Sequence, residues 1–176
     1  VINEYMNLKE RINEDLKASL KSGSNDVVST LRFLSSVIKN KELEKRNKLS
    51  KEGNPVAELE KLSELNDDET VNVILGEIKK RKESVAQYEK GNRPDLVRKE
   101  EAELQILKKY APEEMSEEEL RSLIKKKLSE MGNMSIKDFS KIIGIVMTEV
   151  KGRAGGEAVK KIIEEEIKAR NMKHET

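Results

Sequence analysis

Leu8, Ile12, Leu16 and Leu20 recur every four residues, the spacing of one face of a helix. Asn7 stands where a side-chain oxygen can accept from the first free N–H groups, and Gly23 stands where a left-handed residue can end the helix. A second helix is predicted from about Asn25, with Val27, Leu31, Leu34 and Ile38 as its apolar stripe, and its pattern fades near Asn47. Residues 47–64 are polar and carry Gly53, Asn54 and Pro55, which reads as a loop or a loosely attached helical insertion. A third helix starts at Asn66–Asp67, turns Val71, Ile74, Leu75, Ile78 and Val85 inward, and ends at Gly91. Pro94 suits the first turn of a fourth helix, which runs to Tyr110. Tyr88 and Tyr110 then fall at helix ends.

The segment "YAPEEMSEEEL" interrupts this series. Pro112 breaks the helix, and Ser116 with Glu119 forms a capping box for the next one. The domain boundary is expected here, dividing 1–112 from 113–176. Downstream, helices are predicted over 117–130, 136–150 and 156–170. They are separated by Gly132–Asn133 and by "VKGRAGGEAVKKI", residues 150–162. The expected fold is all-α, an N-terminal helical hairpin-like unit followed by a small three-helix C-terminal domain.

Composition agrees with helices. Apolar residues make up 35% of the chain and charged residues 39%, while aromatics are only 3%, so the core must be aliphatic. The net charge is +1, yet between Arg121 and Lys161 ten Lys/Arg face four Asp/Glu, a local excess of six. An anionic partner responds to such local charge. Cysteine is absent and His174 is the single histidine. Disulfides, zinc–thiolate sites and cysteine or Ser-His-Asp nucleophile systems are thereby excluded or disfavoured. No apolar run approaches the roughly 20 residues of a membrane span, and the start of the chain lacks a signal-peptide pattern. The expectation is a soluble, cytoplasmic protein with no cofactor, no metal and no membrane partner.

The glycine stretch is the sharpest candidate site. Gly152, Gly155 and Gly156 are followed by Glu157 and Ala158 and preceded by a helix. A Walker loop needs G-x-x-x-x-G-K-[ST] after a strand, so nucleotide binding of that kind fails here. The simple reading is a turn between helices with Gly152 at a left-handed position. The fuller reading adds a phosphate of nucleic-acid backbone, held by Lys151, Arg153 and the free N–H groups of the following helix. "KKRK" (79–82) and "KKK" (125–127) read as solvated faces. Glu117–Glu119 reads as first-turn helix chemistry, and Glu164–Glu166 as a solvated face. No constellation has the form of a catalytic site, and exposed aromatics do not alternate with basic residues as they do in single-strand stacking platforms.

Three segments carry a resemblance: "LRFLSSVIKNKELEKR" (31–46), "EIKKRKESVAQYEKGNRPDLVRKEEAELQILKKYAPEEMSEEEL" (77–120) and "GIVMTEVKGRAGGEAV" (144–159). In this order they resemble the YqeY family over nearly the whole chain. Residues 47–64 depart from it, being longer than the usual link. The C-terminal unit is also similar to the tail domain of the GatB subunit of glutamyl-tRNA(Gln)/aspartyl-tRNA(Asn) amidotransferase, through Gly144, Val146, Met147, Lys151, Gly152 and Ala154. In that enzyme the tail helps hold tRNA and the chemistry lies in other domains. The resemblance therefore implies a non-catalytic module for tRNA or another structured RNA, and any amidotransferase label would be inherited from the shared tail. Lys141, Lys151, Gly152, Arg153, Lys160 and Lys161 are the expected nucleic-acid contacts, with the face around Lys79–Lys82 as an addition. Gly144, Val146 and Met147 are expected to pack, Gly144 letting two helices approach. The alternatives are an adaptor for a protein of the translation machinery and, further off, a subunit of an amide-transferring carbon–nitrogen ligase.

Overall fold

The structure, a computed structural model, describes residues 6–132 and 138–174 and, within them, side chains as far as 169. The described residues form eight helices and no strand: α1 Leu8–Ser22, α2 Asn25–Lys51, α3 Val56–Ser63, α4 Asp67–Lys90, α5 Pro94–Lys108, α6 Glu117–Glu130, α7 Phe139–Val150 and α8 Gly156–His174. The fold is all-α. Its contacts divide it into two compact units, Val1–Ala111 and Pro112–Thr176. The predicted start of α7 at 136 and the turn residue Asn133 lie outside the described residues.

The caps fall where local chemistry puts them. Asn7, Asn66 and Ser116 each accept from the N–H three residues on, while Glu10, Glu69 and Glu119 return a carboxylate to the cap N–H. Gly23 ends α1 at φ 72°. In the first unit α4 and α5 pack along each other across the short turn 91–93, and α2 contacts α1, α3, α4 and α5. At 27 residues, α2 is about 40 Å long. The core joins Ile12, Leu31, Leu34, Ile38, Leu65, Ile74, Ile78, Leu104, Leu107 and Tyr110. Tyr110 donates to Asp15 at 2.6 Å beneath the Arg11 guanidinium, which ties the end of α5 to α1. The α1 stripe is shorter than its periodicity suggests, since Leu20 is exposed.

Residues 47–64 are mostly helical. α2 runs on to Lys51, Gly53 turns the chain at φ 87°, and Pro55 leads into α3. α3 packs on α2 through buried Leu59 and leaves Val56 and Leu62 outside. Eight residues bury only two positions, Leu59 and Ser63, too few for a periodic signal.

Glu42 locks this region. Its side chain is 11% exposed, and it takes Lys9 of α1 at 2.6 Å, the Leu65 N–H at 3.2 Å and Lys39 at 3.7 Å. Burial by itself would raise the carboxyl, but the hydrogen bonds from Lys9 and Leu65 outweigh it and hold Glu42 below the ordinary glutamate range. A depressed folded value adds stability above the unfolded value of about 4.3, and that part is lost as pH falls through the folded value. Glu42→Gln is expected to lower stability by about 1–2 kcal/mol at neutral pH. Urea unfolding should find the gap shrinking as pH falls below the ordinary glutamate range and through the lowered folded value. An equal gap across that range would mean that the charge of Glu42 is not what holds these helices.

Candidate nucleic-acid interface

The second unit closes on Leu120, Ile124 and Leu128 of α6, Ile142, Val146 and Val150 of α7, and Val159, Ile162, Ile163 and Ile167 of α8. Between α7 and α8 the chain turns through two successive left-handed residues, Lys151 at φ 45° and Gly152 at φ 78°. Glycine accepts this freely, whereas for a lysine it costs about 1 kcal/mol. Arg153 then fastens the turn. Its N–H bonds the Val150 carbonyl at 2.8 Å, its carbonyl receives the Met115 N–H at 2.7 Å, and its Nε donates to the Glu113 carbonyl at 3.0 Å. Arg153 thus joins the turn to the segment that leads into α6.

Ion pairs consume much of the local positive charge. Arg121 binds Glu117, Glu165 and Glu166 at 2.7–3.0 Å. Lys125 lies 3.7 Å from Glu166. Lys127 binds Glu149 at 2.6 Å and Glu130 at 3.2 Å. The hydrogen bond to Glu149, then that to Glu130, holds its ammonium above the ordinary lysine range. Lys160 pairs with Glu157 at 3.6 Å. Glu166 is therefore not on a solvated face: it is 9% exposed, because the i+4 step from Ile162 turns it toward α6 and Arg121.

Of the expected contacts, Lys141, Lys151, Lys160 and Lys161 are exposed, and Gly152 and Arg153 are half-buried. Lys137, one of the ten Lys/Arg between Arg121 and Lys161, lies outside the described residues. Lys141, Lys151 and Lys161 make no ion pair among the described residues. Lys161 stands on the outward side of α8 with Glu164, and its field reaches Glu165. On α7 the outward stripe is Lys141, Gly144 and Thr148, leading to Lys151, all exposed. Ten residues separate the two lysines in sequence, about 15 Å along the helix axis. Lys126 had no place among the expected contacts, yet it is exposed, makes no ion pair among the described residues, and shares with Lys151 a field that reaches Glu149. Within "KKK" the 100° step between neighbours turns Lys125 to Glu166 and Lys127 to Glu149, leaving the middle lysine outward. "KKRK" is neutralised locally: Lys79 pairs with Glu83, Lys80 with Glu77, and Arg81 turns inward between Glu100 and Glu103.

Val146 is fully buried and Met147 packs at the edge of the core, but Gly144 does not pack. It is exposed, and a Cβ built there would meet nothing within 4 Å. The helices do not meet at this position, because Gly144 lies opposite the Ile142–Val146–Val150 stripe. Among the described residues no cluster of three or more His, Asp or Glu could hold a metal ion, and no helix is long and apolar enough to cross a membrane.

The family model for Yqey-like proteins matches residues 9–167. An uncharacterized protein of Schizosaccharomyces pombe is 39% identical over 111 residues, 62% of this chain and 76% of its own. The protein named "Altered inheritance of mitochondria protein 41, mitochondrial" of Pyrenophora tritici-repentis is 30% identical over 165 residues, 91% of this chain and 81% of its own. The protein of the same name from Lachancea thermotolerans is 25% identical over 173 residues, 95% and 84% of the two chains.

Gly144→Ala should raise stability by up to about 1 kcal/mol, the helix-propensity difference, since no neighbour obstructs the methyl group. Thermal unfolding decides this, and a loss of stability would mean that another surface closes on Gly144 in the folded protein.

Proposed function

The chain belongs to the YqeY family, and from that premise we propose that it binds tRNA or another structured RNA through its second unit, without catalysing a reaction. The observation that carries this reading is what remains once the ion pairs are made. Lys126, Lys141 and Lys151 stay exposed and uncommitted, and Lys151 is kept in a left-handed conformation that glycine would adopt at no cost. A strained residue left exposed points to a role outside the fold. Three ammonium groups around the end and outward stripe of α7 suit phosphates, which position a protein without reading sequence. Lys161 among glutamates and Lys160 on Glu157 contribute less. Arg153 acts by holding the turn. The proposed location is the cytoplasm; relatives named as mitochondrial point to a second compartment in which tRNA occurs.

An adaptor role is the second reading, and one observation favours placing it in the first unit. The large hydrophobics exposed among the described residues (Met6, Leu20, Phe33, Leu43, Val56 and Leu62) all lie there.

Binding of labelled total tRNA across a salt series tests the RNA reading. Wild type should bind more tightly than the roughly 10⁻⁴–10⁻⁶ M of non-specific contact. Lys141→Glu with Lys151→Glu should weaken binding and flatten the log K against log salt slope by about 0.7–0.9 for each phosphate no longer neutralised. Lys160→Glu with Lys161→Glu should do so less. Binding no tighter than non-specific contact would end the RNA reading and move the search to protein partners of the first unit, whereas tight binding that ignores the first pair would remove the α7 face from it.

A further inference from the structure

The first unit holds a feature that phosphate contact leaves unused. A cavity of about 280 Å³ opens where α2, α4 and α5 meet, lined by Ser29, Phe33, Arg81, Lys99, Glu100 and Glu103, with Thr30 behind. Phe33 stands outside the Val27, Leu31, Leu34 and Ile38 stripe and is 44% exposed, an uncommon position for one of only two phenylalanines in the chain. The Arg81 guanidinium lies over the ring, 5.0 Å from its centroid. Arg81 is in turn fixed by Glu100 at 3.2 Å and Glu103 at 2.9 Å, and its Nε is buried with no partner. An aromatic ring backed by a guanidinium and held by two carboxylates is thus set rigidly at the edge of a small opening.

The chemistry of the walls narrows the occupant. Arg81 and Lys99 balance Glu100 and Glu103, so neither a simple cation nor a simple anion gains from net charge. Phe33 favours a planar group that can stack. Glu100 and Glu103 each give one oxygen to Arg81 and keep acceptor capacity for further N–H donors. The exposed Lys99 ammonium at the rim suits a phosphate. A planar head that offers adjacent N–H donors and carries a phosphate is a guanine nucleotide: guanine alone among the common bases presents two neighbouring N–H donors on its Watson–Crick edge. At this volume, near the lower end of ligand pockets, the opening takes one base.

We propose that the Phe33 cleft receives an unstacked guanine of an RNA strand, stacked on Phe33 with its donor edge toward Glu100 and Glu103. This rests on the RNA reading above and adds to it a base contact in the other unit. Unpaired bases are commonly held in this way, by stacking and by their Watson–Crick edge.

The test is nuclear magnetic resonance of the labelled full chain titrated with guanosine, adenosine, cytidine and uridine monophosphates. It is followed by binding of a short single-stranded oligonucleotide with one guanine and of its adenine counterpart. Guanosine monophosphate should shift signals around Phe33, Glu100 and Glu103 more than the other three, and the guanine strand should bind more tightly than the adenine strand. Phe33→Ala should weaken both by about tenfold or more. Phe33→Tyr, which keeps the stack, should retain them. Absence of shifts at Phe33, or Phe33→Ala binding like wild type, overturns the proposal. Mononucleotide binding with no preference between the oligonucleotides overturns the RNA strand as occupant and leaves a free guanine nucleotide. Lys141→Glu with Lys151→Glu, measured alongside, separates the two readings. If that pair leaves tRNA binding unchanged while the Phe33 shifts persist, only the phosphate face is defeated, and the reverse defeats only the cleft.

Discussion

Charged side chains border both cores, and each one turned inward must meet its opposite. A buried charge whose partner is removed faces a large desolvation penalty, so these pairings constrain the fold even where they add little net stability. Glu42 holds Lys9 and the Leu65 N–H, and Arg81 holds Glu100 and Glu103, while Arg121 gathers Glu117, Glu165 and Glu166 closer to solvent. In a chain with 39% charged and 35% apolar residues, this requirement adds to the apolar contacts that bring the helices together. It also determines which charges are left over for anything outside the chain.

That remainder is what a ligand meets, and it differs from what a count along the sequence suggests. The excess of six positive charges between Arg121 and Lys161 shrinks once Glu165 and Glu166, which lie beyond that window, fold back on Arg121 and Lys125. Which lysines stay outward is set by geometry: the fields of Lys126 and Lys151 reach Glu149, and Lys141 stands at the other end of α7. The turn that presents Lys151 is fastened on three sides by Arg153, so its position is set before any ligand arrives. Preorganisation of this kind lowers the ordering cost of binding.

The local features were legible in the sequence because they depend on neighbours a few residues apart. The cap at Asn7, the helix start at Asn66, the capping box at Ser116 and the left-handed Gly23 and Gly152 needed only short-range chemistry. The stripe on α2 needed only the helical period. What the sequence hid depends on partners far along the chain. Nothing near Arg121 announces Glu166, and nothing near Phe33 announces Glu100 and Glu103. Gly144 was misread for the same reason. A glycine within a helix can mark close packing or bare surface, and only its angular position relative to Ile142, Val146 and Val150 distinguishes them. Lys126 was hidden by its neighbours, because a run of like charges does not say which member has found a partner.

The two proposed contacts differ in their physics, and this bears on how one small chain could be selective for RNA. Phosphate contacts release counterions, so their contribution falls steeply as salt rises and carries no sequence information. Stacking on Phe33 and donation to buried-edge carboxylates depend much less on salt, because the groups involved are neutral in sum and partly shielded from solvent. At low ionic strength the α7 face should therefore dominate and the protein should bind RNA broadly. As ionic strength rises toward the physiological range, the cleft should supply a growing share of the free energy, and preference for strands with an accessible guanine should sharpen while total affinity falls.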